Sequence, residues 1–291
     1  MEKRHAKILD NTEIKPGFFR MRIASLYLAR EARPGQFVEV KCSGGVDPLL
    51  RRPLGIHRIA DGGIELLYEA VGKGTGLLSR MEKGGLLDVI GPLGKGFTLS
   101  PKRYPLSAVL IAGGNGVAPL LALAESLAYN VEHRARKGNH KIHVLIGAKS
   151  KSHILCENEF KKLGAKVYIA TEDGSRGRRC LVTDILKELL YSTLDTQHPA
   201  LYACGPVGML KAVAGIAGER NVPCQVSLEE RMACGVGVCL GCPVKVLTAY
   251  SVQRRAQMKA CILNTQLPTQ YEYKMVCKDG PVFDAEEIFW E

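Results

Sequence analysis

The sequence predicts a multidomain α+β protein. An N-terminal antiparallel β-barrel covers residues 1–101, a central α/β doubly wound parallel sheet covers 102–225, and a small cysteine-rich domain covers 226–291. Three observations carry this. Turn signals recur about every 8–12 residues in the first third, the mark of a sandwich or barrel. From about residue 106 the rhythm changes to strand, helix, strand, which predicts a parallel sheet with helices on both faces. After residue 226 regular pattern fades, and cysteines and glycines dominate.

In the first zone, Phe37–Val40 follows the Pro34-Gly35 turn and Ile64–Tyr68 follows Asp61-Gly62-Gly63. Ser100–Pro105 reads as a linker. In the second zone the strands are Ala108–Ala112, His143–Gly147, Val167–Ala170 and Ala200–Cys204. The intervening helices run over Leu120–Tyr129, near Glu157–Leu163, over Val182–Leu190 and from Val207. No repeat or low-complexity tract interrupts the order.

Composition narrows the class. At 291 residues the chain has room for two or three domains. Its 46% hydrophobic and 24% charged content is that of a soluble globular protein. The start MEKRHAKILD lacks the apolar core of a secretory signal. Ala108–Ala124 falls short of the roughly 20 apolar residues of a membrane span and breaks at a glycine turn. Ten cysteines in such a chain fit reduced thiols in a cytoplasm, with Cys42, Cys156, Cys180, Cys204, Cys224 and Cys261 as small buried residues by default. The net charge of +11 is scattered, without a nucleic-acid module. It suits a solvated surface, anionic cofactors or an acidic docking partner.

The cysteine pattern is the most specific signal. Cys234-x4-Cys239-x2-Cys242, with Cys277 further on in MVCKDGPVF, has the plant-type spacing for a [2Fe–2S] cluster. Gly235, Gly237 and Gly241 sit between the thiols, where backbone must pass close to an inorganic core. A structural zinc site would favour a C-x2-C pair near a second such pair, whereas the first gap here is four residues. Cys261 is a rival fourth ligand. None of the seven histidines, His133, His140 and His143 included, stands at ligand spacing to the cysteines.

Two glycine loops follow strands and open helices: Gly113-Gly114-Asn115-Gly116-Val117-Ala118-Pro119 and Cys204-Gly205-Pro206-Val207-Gly208. Such loops let backbone approach a pyrophosphate. Two in one parallel sheet line one crevice. The nucleotide contacts expected are Gly113, Gly114, Gly116, Pro119, Cys204, Gly205 and Pro206. The arginines Arg176, Arg178 and Arg179 after the Asp173-Gly174-Ser175 turn raise the possibility of a 2′-phosphate.

The order barrel, GGNGVAPL, CGPVGM resembles the ferredoxin–NADP reductase superfamily. Arg52-Pro53-Leu54-Gly55, Leu67-Tyr68-Glu69 with Gly72-Lys73-Gly74-Thr75, and Gly91-Pro92-Leu93-Gly94-Lys95-Gly96-Phe97 are similar to its flavin motifs. SLEERMACGVGVCLGC and VCKDGPVF narrow the resemblance to the electron-transfer subunits of NAD-linked dihydroorotate dehydrogenases. The resemblance covers nearly the whole chain.

It implies FAD on the barrel, held by Arg52, Pro53, Leu54, Gly55, Leu67, Tyr68, Glu69, Gly74 and Thr75. NAD, with NADP as the alternative, would lie on the central domain, and a [2Fe–2S] cluster on Cys234, Cys239, Cys242 and Cys277. The implied partner is an FMN-containing dihydroorotate dehydrogenase subunit, in a heterotetramer of two of each, with no nucleic acid and no membrane. Electrons would run from dihydroorotate through the cluster and FAD to NAD in pyrimidine biosynthesis. No acid–base residue is assigned, because the cofactors carry the chemistry.

The chain departs from the family pattern in three places. The usual hydroxyl residue is Gly55, and the usual arginine is Glu69, which would repel a phosphate; Arg51, Arg58 and Lys73 are nearby cations. An extra stretch, AYSVQRRAQMKACILNTQLP, lengthens the span between Cys242 and Cys277. Two other readings stay open. One is a flavin subunit of a hydrogenase, sulfide dehydrogenase or ferredoxin–NADP transhydrogenase. The other is an iron–sulfur scaffold that has lost flavin.

Overall fold

The computed structural model describes residues 2–99, 107–133, 141–192, 199–248 and 270–290. The expected linker at 100–105, His140, Cys261 and all of the extra stretch lie outside the described residues.

Six strands close an antiparallel barrel: β1 (Glu2–Lys15), β2 (Phe18–Ala24), β3 (Phe37–Val40), β4 (Arg52–Ala60), β5 (Gly63–Glu69) and β6 (Leu86–Leu93), in the order β1-β2-β5-β4-β3-β6. Along β6 the burial alternates residue by residue, as a strand with one wet face requires. The inward set, including Ile8, Met21, Ile23, Val38, Ile56, Leu66 and Val89, fills the barrel with its own core. Two short helices interrupt it, α1 (Leu26–Glu31) and α2 (Lys73–Leu78).

The central sheet runs β9 (Lys166–Thr171), β8 (Lys141–Ala148), β7 (Ser107–Gly113), β10 (Ala200–Cys204), β11 (Cys224–Ser227), all parallel. Every residue of the middle strand β7 is buried, the continuous apolar run of a strand covered on both faces. Ala108, Leu110 and Ala112 share a core with α3 (Val117–His133) and with Phe160 of α4 (Glu157–Lys162). The alternate residues Val109 and Ile111 pack with α5 (Val182–Ser192) and α6 (Val207–Arg220). Each such fully buried side chain contributes about 1.5–3 kcal/mol.

The C-terminal segment is not a separate lobe. Its hairpin β12 (Pro243–Leu247) with β13 (Tyr271–Met275) is followed by the short helix α7 (Val276–Asp279) and by β14 (Val282–Asp284), which pairs antiparallel with β11 as sixth strand of the central sheet. Cys242, Val246, Val276, Cys277 and Ile288 share one core with α5 and α6. The expected boundary at 225/226 thus falls inside β11.

Candidate functional site

The first cleft opens where the barrel faces the carboxyl ends of β7 and β10. It has a volume of about 310 Å³. Pro53, Leu54 and Gly55 of β4, Leu67, Tyr68 and Glu69 of β5, and Thr75 of α2 line its barrel side; Pro119 and Cys204 line the other. Tyr68 is held in place: its ring stacks on Phe19, and its hydroxyl donates to Asn11 Oδ1 at 3.0 Å. Burial pushes that phenol up to about 12. Thr75 Oγ1 accepts from the N–H groups of Val71 and Gly72 at 3.1 and 3.3 Å, which fixes the turn into α2. Apolar walls with a few converging polar groups fit a flat flavin ring.

Arg52 and Gly74 flank this cleft rather than line it. A Cβ on Gly74 would lie 2.8 Å from Arg52 Nε, so the guanidinium rests directly on the glycine turn. Arg52 Nη1 donates to the carbonyls of Leu50 and Arg51. The other cations are committed elsewhere: Arg51 to Asp88 at 2.8 Å, Arg58 to Glu125 at 2.6 Å, and Lys73 to Asp47. Arg52 puts a cation at this turn, the sign that a pyrophosphate needs. Glu69 accepts from Asn115 Nδ2 at 3.0 Å. At Gly55 a Cβ would meet only Pro119, at 3.9 Å.

A second cleft of about 400 Å³ lies over the ends of β7, β8, β9 and β10, and Gly113, Gly114, Asn115, Pro206, Gly208 and Met209 line it. Strand order reverses between β7 and β10, where nucleotides bind in open α/β sheets. The two glycine loops interlock there. A Cβ on Gly116 would lie 2.0 Å from the Cys204 carbonyl oxygen, and one on Gly113 would lie 2.7 Å from Pro206 Cδ. Cys204 is buried at the end of β10, and burial holds its thiol well above the usual range. It lines the first cleft, not the second.

Of the arginines considered for a 2′-phosphate, Arg176 is paired with Glu157 at 2.9 Å and Arg178 with Glu188. Arg179 packs on Gly174. His143 is buried and stacks on Tyr168.

The cysteine loop closes on backbone. Val236, Val238 and Cys239 N–H groups point at Cys234 Sγ at 3.4, 3.3 and 3.4 Å; Gly237 N–H points at Cys277 Sγ at 3.1 Å, and Cys277 N–H at Cys242 Sγ at 3.4 Å. Left-handed backbone at Gly235, Gly237 and Leu240 turns those groups inward. Burial works to raise the Cys234 thiol, but its N–H donors and the neighbouring Cys239 outweigh it and bring the thiol down to about 6. Burial first, and Cys242 second, push Cys277 up. Backbone thus ties the cysteines together: Gly237, inside the loop, reaches Cys277, and Cys277 in turn reaches Cys242. Among the described residues no three or more His, Cys, Asp or Glu side chains gather around a single ion. Four thiols on one loop and one neighbouring helix, three of them met by backbone N–H donors, have the chemistry a [2Fe–2S] core would use.

Of the residues that join these places, sequence reasoning named only Glu69, as an FAD contact, and missed the rest. Leu228, Glu229, Glu230 and Met232 line the first cleft and run directly into Cys234. Glu69 and Asn115 line both clefts. Only the SLEERM run beside the cysteines hinted at the former; Asn115 was legible as part of a loop but not as a wall.

Comparison with known proteins agrees with this layout. Residues 110–215 match the oxidoreductase NAD-binding domain family, and residues 229–257 and 259–289 match the iron–sulfur cluster binding domain of dihydroorotate dehydrogenase B. The chain is 39% identical over 290 residues to the dihydroorotate dehydrogenase B (NAD(+)) electron transfer subunit of Desulforamulus reducens, covering 98% of each chain. It is 35% identical to that of Bacillus mycoides, covering 99% of each. A solved structure of NADH-dependent reduced ferredoxin–NADP oxidoreductase superposes with TM-score 0.76 at 28% identity, over 98% of this chain and 90% of that one. A ferredoxin NADP+ reductase from Neisseria gonorrhoeae, 17% identical with TM-score 0.61 over 76% of this chain and 92% of its own, shares the fold.

Proposed function

The chain belongs to the family of dihydroorotate dehydrogenase B electron transfer subunits, and from that premise we propose that it links a dihydroorotate-oxidising partner to NAD. FAD, a [2Fe–2S] cluster and NAD are its cofactors, and it is an oxidoreductase subunit. The cluster supplies single-electron exchange, and the flavin converts between one- and two-electron steps.

One observation supports this reading: the flavin and nucleotide clefts share two side chains as walls, and a segment lining the flavin cleft continues along the chain into the cysteine loop. The segment Leu228–Met232 joins the flavin cleft to the cluster loop, and Glu69 with Asn115 joins it to the nucleotide cleft. In this proposal Arg52, Pro53, Leu54, Gly55, Leu67, Tyr68, Glu69, Gly74 and Thr75 hold FAD on the barrel (1–101). Gly113, Gly114 and Pro206 hold the nicotinamide nucleotide in its cleft (102–225), with Gly116 and Gly205 shaping the two loops and Pro119 and Cys204 meeting its ring from the flavin cleft. Cys234, Cys239, Cys242 and Cys277 hold the cluster (226–291). The exposed edge formed by Val238, Cys239 and Leu240 faces an FMN-containing catalytic subunit, in a heterotetramer of two of each, in the cytoplasm and in pyrimidine biosynthesis. Among the described residues no helix is long and apolar enough to cross a membrane.

Cys239→Ser tests the series. It removes the iron–sulfur absorbance and brings NAD-linked dihydroorotate oxidation by the copurified complex to background, while NADH-to-dye activity stays. Coupled turnover surviving in that variant refutes the relay. A second reading rests on the likeness to NADH-dependent reduced ferredoxin–NADP oxidoreductase: the same subunit serving another redox partner. The identity of the copurified chain, and a pyrimidine or non-pyrimidine gene neighbourhood, separates the two.

A further inference from the structure

The flavin and nucleotide clefts meet at two side chains. Glu69, at the end of β5, and Asn115, in the loop after β7, line both clefts, and no other described residue does. Asn115 Nδ2 donates to Glu69 Oε2 at 3.0 Å. That bond fixes how the carboxamide faces, because the flipped orientation would set oxygen against oxygen. The other end of the carboxamide, Asn115 Oδ1, is buried and accepts no hydrogen bond. A buried acceptor without a donor is a standing cost, and native structures hold few of them.

The reaction proposed above gives that oxygen a use. Hydride passes between a nicotinamide and a flavin only when the reacting atoms lie about 3–3.5 Å apart. The nicotinamide ring, arriving from the nucleotide cleft, has to reach the flavin cleft past Glu69 and Asn115. It carries a carboxamide of its own, with an N–H2 group to donate and a carbonyl to accept. Asn115 offers the complement, an oxygen that lacks a donor and an N–H2 group that only a neighbouring carboxylate holds. Ser227 and Glu229 line the flavin cleft alone, and His153 and Thr183 the nucleotide cleft alone.

We propose that Asn115 positions the nicotinamide: the ring's carboxamide displaces Glu69 from the Asn115 side chain and donates an N–H to Asn115 Oδ1. Asn115 is a positioning and specificity residue here, and Glu69 keeps its side chain poised between the two clefts. The inference rests on the NAD-linked reading of the site.

The test uses 3-acetylpyridine adenine dinucleotide, which keeps the ring, its carbonyl and the rest of the dinucleotide but carries a methyl group where NAD+ carries the amide nitrogen. Each nucleotide is titrated calorimetrically into the oxidised complex, with flavin and cluster loading checked by absorbance. The wild-type complex prefers NAD+ by about tenfold, the loss expected when a buried acceptor goes without its donor. Asn115→Leu brings the ratio to within about twofold by weakening NAD+ alone. Equal wild-type binding of the two nucleotides overturns the proposal, as does a tenfold preference that survives Asn115→Leu. Should the leucine variant fail to load flavin, the wild-type ratio still decides. A wild-type complex that binds neither nucleotide overturns the NAD-linked reading itself, a different outcome from equal binding.

Discussion

The seam between barrel and parallel sheet and the loop from Cys234 to Cys242 are built on opposite principles. On the sheet side of the seam, backbone meets backbone: Gly116, in the loop after β7, leaves no room for a side chain against the Cys204 carbonyl at the end of β10. Strand β4 lies along α3, tied by the His57–Ala118 contact at 3.0 Å and the Arg58–Glu125 pair at 2.6 Å. The cysteine loop instead spends its N–H groups on sulfur and leaves Val238, Cys239 and Leu240 exposed. The contrast follows from what each must transfer. Hydride moves only across a contact distance, so the seam is tied by direct contacts beside its clefts. A single electron can hop through space, so the loop needs an exposed edge more than it needs tight packing.

The largest way to break this contrast is Gly116→Val. A Cβ there would lie 2.0 Å from Cys204 O and 2.4 Å from its carbonyl carbon. No rotamer relieves backbone on backbone, and the expected destabilisation is at least about 3 kcal/mol. Urea unfolding should show the loss, together with loss of bound flavin and of NADH-to-dye activity. Normal flavin content and stability in this variant would mean that the two glycine loops do not interlock.

The seam also carries a pH dependence of defined sign. His57 is buried, and burial outweighs its bond to Ala118 to bring its pKa from 6.5 to about 4. Ala118 O only accepts, so Nδ1 carries the proton; Nε2 faces Cys156 Sγ at 4.0 Å. The unfolded chain binds a proton below about pH 6.5 that the folded chain refuses until about pH 4. Stability from this group is therefore full above pH 6.5 and declines as pH falls, by about 3 kcal/mol at pH 4. His57→Gln keeps a donor for Ala118 without the titration. Urea midpoints between pH 4.5 and 7.5 should vary less in that variant than in the wild type, and an unchanged slope would remove His57 from the account.

Local signals were the ones the sequence displayed. Cysteine spacing, glycine turns after apolar runs, and the change from period two to strand-helix alternation all lie within short windows, and they placed the barrel, the parallel sheet and the thiol loop. What stayed hidden is non-local. The three residues of β14 carry no strand signal of their own; they become a strand because β11 leaves an edge to pair with. Glu69 looked like a misfit against phosphate because its partner Asn115 is 46 residues away. His57 and Cys156, 99 residues apart, gave no hint of meeting.

The smallest expected effect lies on the other side of the contrast. Val238 and Leu240 are 78% and 66% exposed, beside the exposed Cys239. Large apolar side chains kept in water next to a redox centre gain little from the fold and are suited to burial against a partner. Replacing both by Ser should change stability by no more than about 0.5 kcal/mol and leave the flavin–NADH reaction alone. Affinity for the partner subunit should fall about five- to tenfold, the range of ordinary apolar contacts in an interface. Calorimetric titration with the partner and dye reduction by NADH separate the two effects. An equal loss in both assays would mean that the loop and the seam are one cooperative unit, and the contrast drawn between them would be false.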